Sequence, residues 1–177
     1  MAVKVGLVGT GTVGGGCLDI LRNHKEEFKR HFGVEIELVR VCSRKSNVAE
    51  AYGLGDIFTT DFHDVVNDPE IDLVIELIGG TTIAKEVVMG ALQNGKSVVT
   101  ANKALMATDG EEIMGLAAEK DVEIAFEASV GGAIPIIVPL KHSLIANRID
   151  SIMGIVNGTT NYMLTRMDED GMGYEDV

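Results

Sequence analysis

Three glycines near the amino terminus have the spacing of a phosphate-binding turn. Residues 3–14 read VKVGLVGTGTVG, an apolar run that breaks at Gly9, Gly11 and Gly14 and continues as a helical pattern. In such a turn the first glycine permits a tight bend, the second lets the backbone approach a pyrophosphate, and the third lets the helix pack closely. The helix then presents amide groups and its positive dipole end to the phosphates. Because the motif alone also fits other glycine-rich α/β turns, its place between a strand and a helix carries the prediction of a dinucleotide site.

The second predicted strand ends without a carboxylate. The segment after it reads Cys42-Ser43-Arg44-Lys45, whereas a site for NAD usually places Asp or Glu there to bind the ribose 2′-hydroxyl. Arg44 and Lys45 instead suit the 2′-phosphate of NADP. We therefore expect NADP, with NAD as the alternative cofactor. The competing interpretation of the pair is a solvent-exposed basic loop on an acidic protein.

A lysine follows another predicted strand, in the run Thr100-Ala101-Asn102-Lys103. Ligands of open α/β sheets bind beyond the carboxyl ends of the strands. Lys103 at that place would hydrogen-bond a carbonyl or hydroxyl oxygen and stabilise developing negative charge, with Asn102 orienting it. An ordinary surface lysine is the alternative.

Two later segments have two interpretations each. Residues 126–132 (FEASVGG) place the Glu127 carboxylate beside backbone carbonyls, which suits either a monovalent cation or a hinge with a capping role. Residues 157–161 (NGTTN) precede a predicted helix and serve either as a plain N-cap or as donors to a ligand. His142 is predicted to be structural, because no second histidine or cysteine lies at metal-ligand spacing.

Composition excludes several classes of partner. The 177 residues carry a net charge of −12, with a pI near 4.7, whereas nucleic acid and anionic membranes require a basic face. No apolar run is long enough to span a bilayer, and no signal peptide is present, so a cytoplasmic protein is expected. Cys17 and Cys42 are predicted to fill the core rather than to pair.

Apolar periodicity predicts alternating strands and helices. The predicted strands cover 3–8, 36–41, 72–78, 97–100 and 122–126, and the predicted helices cover 12–31, 82–94 and 109–119. The first helix should bury the residues that recur at its spacing, Val13, Cys17, Ile20, Leu21, His24 and Phe28. Asp109 is predicted to cap the last helix, with Glu112 at the capping-box position. The alternation indicates an α/β fold of Rossmann type, a doubly wound parallel sheet with right-handed crossovers.

The pattern changes after Glu127. We expect an NAD(P)-binding domain over 1–128 and the beginning of a second, α+β domain over 129–177, with a strand at 148–156 and a helix at 159–167. One strand and one helix cannot enclose a core, so the chain is expected to be part of a longer protein. The alternative is that residues 130–177 complete the first domain.

Four blocks of this chain together resemble homoserine dehydrogenase. They are GLVGTGTVGGG at 6–16, VTANKALMA at 99–107, FEASVGGAIPII at 126–137 and GIVNGTTNYMLTRM at 154–167. The resemblance covers essentially the whole chain. It implies NAD(P)-dependent interconversion of L-homoserine and L-aspartate 4-semialdehyde, on the route to threonine, methionine and isoleucine.

The resemblance also implies roles for individual residues. Thr10, Thr12 and Val13 join the three glycines in the cofactor loop, and Lys103 lies near the nicotinamide and the reacting oxygen. The family's cation site, where backbone oxygens supply most ligands, falls on Glu127, Val130, Gly132 and Ile134. Asn157, Gly158 and Thr159 fall on the stretch that opens the substrate domain beside the cofactor. Ala133 stands where many relatives have glycine.

The family's next block lies beyond Val177. That block carries the substrate-binding acids and a second lysine that moves the proton, so the resemblance implies that this chain binds cofactor but does not turn over homoserine. It also implies a homo-oligomer for the full-length protein.

Two other functions are compatible with parts of the pattern. A phosphorylating semialdehyde dehydrogenase needs a thiolate nucleophile, and Cys17 within a helix and Cys42 within a strand are poorly placed for it. A regulatory module that senses nucleotides would need the glycine loop but not Lys103. The TANK and NGTTN segments favour the enzyme.

Overall fold

The computed structural model describes residues 2–177, which divide after Ser143 into two compact units. The amino-terminal unit extends to Ser143 and the carboxyl-terminal unit covers 144–177. The predicted domain boundary between residues 128 and 129 stays a prediction.

The amino-terminal unit is built on one parallel sheet. Its strands are β1 (Ala2–Val8), β2 (Glu35–Cys42), β3 (Phe58–Thr59), β4 (Leu73–Glu76), β5 (Ser97–Thr100) and β6 (Ile124–Ala125). The spatial order is β3-β2-β1-β4-β5-β6 and every pairing is parallel. The predicted doubly wound sheet is confirmed. The strand order reverses between β1 and β4, and ligands of such sheets bind outside the carboxyl ends at that point.

Helices cover both faces of the sheet. They are α1 (Thr12–Asn23), α2 (Lys25–Phe32), α3 (Asn47–Ala51), α4 (His63–Val66), α5 (Thr82–Gln93), α6 (Lys103–Lys120) and α7 (Glu127–Val130). Strand residues alternate between two apolar clusters, with Leu7 and Val41 in one and Val74 and Val98 in the other. Burial on both faces explains why these strands read as nearly continuous apolar runs.

The predicted first helix of 12–31 is two helices in the structure. His24 lies between them with φ −113° and ψ 19°, and its amide donates to the Ile20 carbonyl. The buried stripe of α1 agrees with the prediction at Leu21, which is buried, but otherwise differs: Leu18 is buried, whereas Val13 is 61% and Ile20 is 52% exposed. The stripe is rotated because the close approach of Gly14 to the loop before it determines which side of α1 faces the sheet.

The helix predicted from Asp109 begins six residues earlier. Asn102 caps α6, its side-chain oxygen accepting the Leu105 amide at 3.1 Å. Asp109 and Glu112 lie inside the helix, and each carboxylate is 2.7 Å from the Lys85 ammonium of α5. The capping-box prediction was wrong because these two acids serve a contact between helices. The short elements β3, α3 and α4, of two to five residues, were not predicted, since so few residues show no period.

The carboxyl-terminal unit contains α8 (Gly158–Glu169) and a 3₁₀ turn at Tyr174–Asp176. The helix predicted at 159–167 is confirmed. The strand predicted at 148–156 is absent from the described residues, where this segment has no neighbouring strand to pair with. Its apolar side chains are exposed, and Met153 and Val156 are almost fully so.

Candidate functional site

A cleft of about 860 Å³ opens at the carboxyl ends of the strands. We call its two sides the β2 end, formed by Cys42, Ser43, Arg44 and Lys45, and the β4 end, formed by residues 77–83. Gly9, Thr10 and Gly11 of the glycine loop line the cleft between them, and Thr60 and Phe62 also contribute. The cleft therefore lies at the reversal of strand order and includes the glycine loop, for which the sequence predicts a dinucleotide site.

The glycine loop has no room for side chains at two positions. Gly9 adopts φ +103°, and a Cβ there would lie 2.5 Å from the Leu77 carbonyl oxygen. A Cβ at Gly14 would overlap the Gly9 carbonyl oxygen, so the helix start and the turn are in direct contact. Around Gly11 a Cβ would meet nothing within 4 Å. The middle glycine thus faces the open cleft, as a phosphate-approaching position must.

The start of α1 suits the diphosphate of a dinucleotide. No side chain among the described residues caps this helix at Gly11, and the first amides of an α-helix have no partner within the helix. These donors and the helix dipole favour an anion at the cleft. Thr12 and Val13 begin α1 but lie outside the set of residues that line the cleft.

A pair of hydroxyls joins the glycine loop to the β2 end. Thr10 donates to the Ser43 hydroxyl at 2.5 Å, and that oxygen accepts the Lys45 amide at 3.2 Å. Ser43 is only 7% exposed. The next residues, Arg44 and Lys45, are exposed at the rim. The structure thus brings the two predicted basic residues to the same end of the cleft, with no carboxylate among the residues that line it.

Glu76 at the end of β4 is a polar residue that the sequence analysis did not single out. It has no exposed surface. One carboxylate oxygen accepts the Ile78 amide at 2.7 Å and the other accepts the Thr100 hydroxyl at 2.6 Å. The signal for it is a single acid inside the apolar run DLVIELI. An acid in a buried strand requires partners, and here a hydroxyl and a backbone amide supply them.

Lys103 is the first residue of α6 and is exposed. It directly follows Asn102, whose side-chain amide donates to the Gly80 carbonyl at the β4 end, at 2.5 Å. Lys103 itself is not among the residues that line the cleft. The structure therefore places the lysine next to a residue anchored to the cleft, beyond the β4 end.

Both thiols resist ionisation. Burial raises the pKa of Cys17, and burial followed by the charges of Asp61 and Asp64 raises the pKa of Cys42 to about 11. Cys42 lines the cleft, but a thiol with that pKa is protonated near neutral pH and is a poor nucleophile. This argues against thioester chemistry at the site.

The Glu127 carboxylate binds three successive backbone amides. It accepts from Ile136 at 2.6 Å, Ile137 at 2.8 Å and Val138 at 2.6 Å. These donors lower its pKa, because hydrogen bonds to a carboxylate favour the charged form. The Glu127 side chain therefore caps the backbone amides of residues 136–138, in agreement with the capping interpretation that the sequence left open. Among the predicted cation ligands, the Glu127 carbonyl accepts the Gly131 amide at 3.0 Å.

In the carboxyl-terminal unit, Asn157 is the N-cap of α8. Its side-chain oxygen accepts the Thr160 amide at 2.9 Å. Gly158 and Thr159 form the first turn of that helix. The geometry matches the plain capping interpretation, and a ligand role for these three residues stays a prediction.

Residues 2–177 contain neither a metal-binding cluster nor a membrane-spanning helix. No group of three or more His, Cys, Asp or Glu side chains is placed to hold a metal ion. Within the same range, none of the helices combines the length and the apolar character that crossing a membrane requires.

Comparison with known proteins gives one consistent family. The family model described as homoserine dehydrogenase, NAD binding domain, matches residues 9–127, and a second described as homoserine dehydrogenase matches 135–177. The homoserine dehydrogenase of Pseudomonas aeruginosa is 49% identical over 175 residues, which is 99% of this chain and 40% of that protein. The Bacillus subtilis enzyme is 42% identical over 99% of this chain and 41% of its own length. The chain thus spans about 40% of the curated relatives it matches.

Solved structures agree with the family models. A homoserine dehydrogenase crystal structure from Thiobacillus denitrificans has a TM-score of 0.89 at 50% identity, covering 99% of this chain and 41% of that one. A hyperthermophilic archaeal homoserine dehydrogenase in complex with NADPH has a TM-score of 0.79 at 30% identity, covering 99% and 59%. The resemblance noted from four sequence blocks is confirmed over essentially the whole chain.

Proposed function

On the premise that this chain belongs to the homoserine dehydrogenase family, we propose that the whole protein interconverts L-homoserine and L-aspartate 4-semialdehyde with NADP. This reaction lies on the route to threonine, methionine and isoleucine. Because the chain spans about 40% of its relatives, we assign to it the cofactor-binding part of that activity. The observation that carries the proposal is the glycine loop, which opens onto a cleft at the reversal of strand order.

The chain's own contribution is binding and orientation. The diphosphate would lie against Gly9, Thr10 and Gly11, which line the cleft, at the positive end of the α1 dipole. When bound, the nicotinamide supplies or accepts a hydride. Lys103 would hydrogen-bond the substrate oxygen and stabilise its developing negative charge. Proton transfer is assigned to a second lysine in the family's next block.

The NADP preference is supported by the charges at the β2 end. Arg44 and Lys45 are exposed at the rim of the cleft, and no carboxylate lines it to bind a 2′-hydroxyl. A planar guanidinium binds a phosphate with two hydrogen bonds. The bound NADPH of the archaeal relative is consistent with this choice. NAD remains the alternative cofactor.

The cation site remains part of the proposal. Backbone oxygens of Glu127, Val130, Gly132 and Ile134 would hold a monovalent cation such as sodium. Oxygen donors from turns suit such hard cations. The support is their closeness in the chain around the α7 turn, where the Gly131 carbonyl already accepts the Ile134 amide at 3.3 Å.

Further parts of the proposal concern the whole protein. Asn157, Gly158 and Thr159 would contribute to the substrate side, following the family resemblance. We propose a cytoplasmic homo-oligomer with a small-molecule substrate and without nucleic-acid or membrane partners. The net charge of −12 supports the last point, since it repels polyanions.

Titration of this chain with NADPH, followed by ligand fluorescence, tests the cofactor role. We expect saturable binding that is tighter than for NADH, and no reduction of NADP when homoserine is added. Equal affinity for the two cofactors would refute the 2′-phosphate role of Arg44. Turnover of homoserine by residues 1–177 alone would show that Lys103 suffices without the second lysine.

The whole protein tests the catalytic role of Lys103. Lys103→Met should lower kcat by about 100-fold, the size expected for loss of one donor to a developing oxyanion. The KM for NADP should change little. Lys120→Met, an exposed lysine at the far end of α6, is the control. Unchanged kcat in Lys103→Met would remove the lysine from the mechanism.

A further inference from the structure

The loop at the β4 end and the start of α6 are joined by a closed ring of hydrogen bonds. Glu76 accepts the Ile78 amide at 2.7 Å and the Thr100 hydroxyl at 2.6 Å. Thr100 in turn accepts the Asn102 amide at 3.0 Å. Asn102 closes the ring by donating to the Gly80 carbonyl at 2.5 Å. The path returns to the loop that contains Ile78, so each link constrains the others.

This ring lies in a low-dielectric environment. Thr100 and Glu76 have no exposed surface and Asn102 is 8% exposed. Hydrogen bonds among buried groups are strengthened by the missing water, and breaking one leaves its partners without a substitute. The ring therefore behaves as one rigid unit.

The two segments that the ring joins have different predicted tasks. Residues 77–83 form the β4 end of the cleft, whereas Asn102 immediately precedes Lys103 and caps α6. A simple cap for the helix needs only the Asn102 oxygen. The additional hydrogen bond from the Asn102 side-chain amide to the Gly80 carbonyl does not contribute to capping α6, and neither does the buried Glu76 carboxylate. These two features therefore require another explanation.

We propose that Glu76 is a positioning residue, which holds the β4 end and the start of α6 in one geometry so that the nicotinamide half of the cofactor and Lys103 meet correctly. This inference rests on the proposed function. The β2 end is held separately by the Thr10–Ser43 pair. Breaking the ring should therefore affect the nicotinamide half of the ligand and spare the adenosine half.

Two ligands separate the halves. NADPH would reach both ends of the cleft, whereas adenosine 2′,5′-bisphosphate carries the adenosine half alone. Thr100→Val removes the ring hydroxyl and should weaken NADPH binding by about tenfold, the cost of leaving a buried partner unpaired. Binding of the bisphosphate should change by less than about twofold, since the β2 end lies outside the ring. Titration of this chain with both ligands gives the two numbers.

Conservative variants show whether the hydrogen bonds matter. Thr100→Ser restores a hydroxyl and should recover most of the NADPH affinity. Glu76→Gln keeps one side-chain oxygen to accept the Ile78 amide, and the Thr100 hydroxyl can rotate to accept from the new side-chain amide. This variant should therefore bind NADPH more tightly than Glu76→Met. Ser97→Ala is the control, because it removes a hydroxyl from the opposite end of β5 and should leave both affinities unchanged.

If Thr100→Val does not fold, Asn102→Ser provides the same test. Serine still caps a helix but is too short to reach Gly80, so a selective loss for NADPH is again expected. Equal losses for both ligands, or no loss in any ring variant, would overturn the positioning role. An unmodified chain that binds neither ligand would instead overturn the proposed function.

Discussion

The two ends of the cleft are constructed in opposite ways. The β2 end presents Arg44 and Lys45 on exposed side chains, so its affinity depends on charge that water and salt screen. The β4 end presents backbone held by the buried ring around Glu76, so its geometry depends on hydrogen bonds that water does not reach. On the function proposed above, the β2 end would recognise a ligand by charge and the β4 end would orient it.

The glycine loop between the two ends should give the largest effect when changed. Gly14→Ala would place a Cβ on the Gly9 carbonyl oxygen and force α1 away from the sheet. We expect a loss of about 2 kcal/mol in the free energy of unfolding and loss of both NADPH and adenosine 2′,5′-bisphosphate binding. Denaturant unfolding and titration measure these. Gly16→Ala is the control, because a Cβ there meets nothing within 4 Å and alanine favours a helix. If Gly14→Ala still binds both ligands, the close packing of Gly14 against Gly9 is contradicted.

The β2 end should respond to the removal of one charge. Arg44→Ala should lower the affinity for NADPH by about tenfold, since a charge-assisted hydrogen bond contributes roughly 1.5 kcal/mol. The affinity for NADH should be nearly unchanged, and the NADPH loss should shrink at high salt. Titration at two salt concentrations tests this. Arg30→Ala is the control, because Arg30 is an exposed arginine on α2. If Arg44→Ala lowers the affinities for NADPH and NADH equally, Arg44 does not bind the 2′-phosphate.

Glu127 is a second carboxylate that accepts backbone amides, but it lies outside the residues that line the cleft. Hydrogen bonds from these amides lower the pKa of Glu127 from an ordinary 4.5. The charged carboxylate therefore stabilises the fold above that pH, and this contribution is lost as the pH falls through the lowered pKa. Glu127→Gln turns an N–H group toward the donors and should unfold at lower urea near pH 7. The difference from the unmodified chain should shrink on acidification below pH 4.5.

Glu111→Gln on the surface of α6 is the control for that pH series. It removes one negative charge without removing an acceptor of backbone amides. A difference between Glu127→Gln and the unmodified chain that stays constant from neutral to acid pH would contradict the capping role.

The smallest expected effect lies just beyond α7. Ala133 adopts φ +60°, a conformation that costs an L-residue roughly 1 kcal/mol. Ala133→Gly should raise the free energy of unfolding by about 0.5 kcal/mol, because relief of strain exceeds the extra flexibility of the unfolded chain. Ala118→Gly inside α6 should lower the free energy of unfolding instead. Calorimetry of the two variants and the unmodified chain measures both changes. A loss in both variants would mean that residue 133 is not strained.

Local patterns in the sequence predicted much of the fold and part of the site. The glycine spacing, the parallel strands and the basic residues after β2 each depend on a few adjacent residues, and the structure brings Gly9, Gly11 and Arg44 to one cleft. The errors have two causes. Asp109 and Glu112 were taken for a capping box because their partner Lys85 is 24 and 27 residues away along the chain. The buried side of α1 follows from the steric contact of Gly14 with the Gly9 carbonyl, which apolar periodicity does not record.

The sequence by itself determined the dinucleotide loop, the doubly wound sheet and the family, because steric freedom at glycine and apolar periodicity act over neighbouring residues. Tertiary structure alone decided the contacts of Glu76. Its partner Thr100 is 24 residues away and comes from the adjacent strand, so only the folded sheet brings the two together. A buried acid appears in the sequence as an exception to an apolar run, and only packing reveals which donors stabilise it.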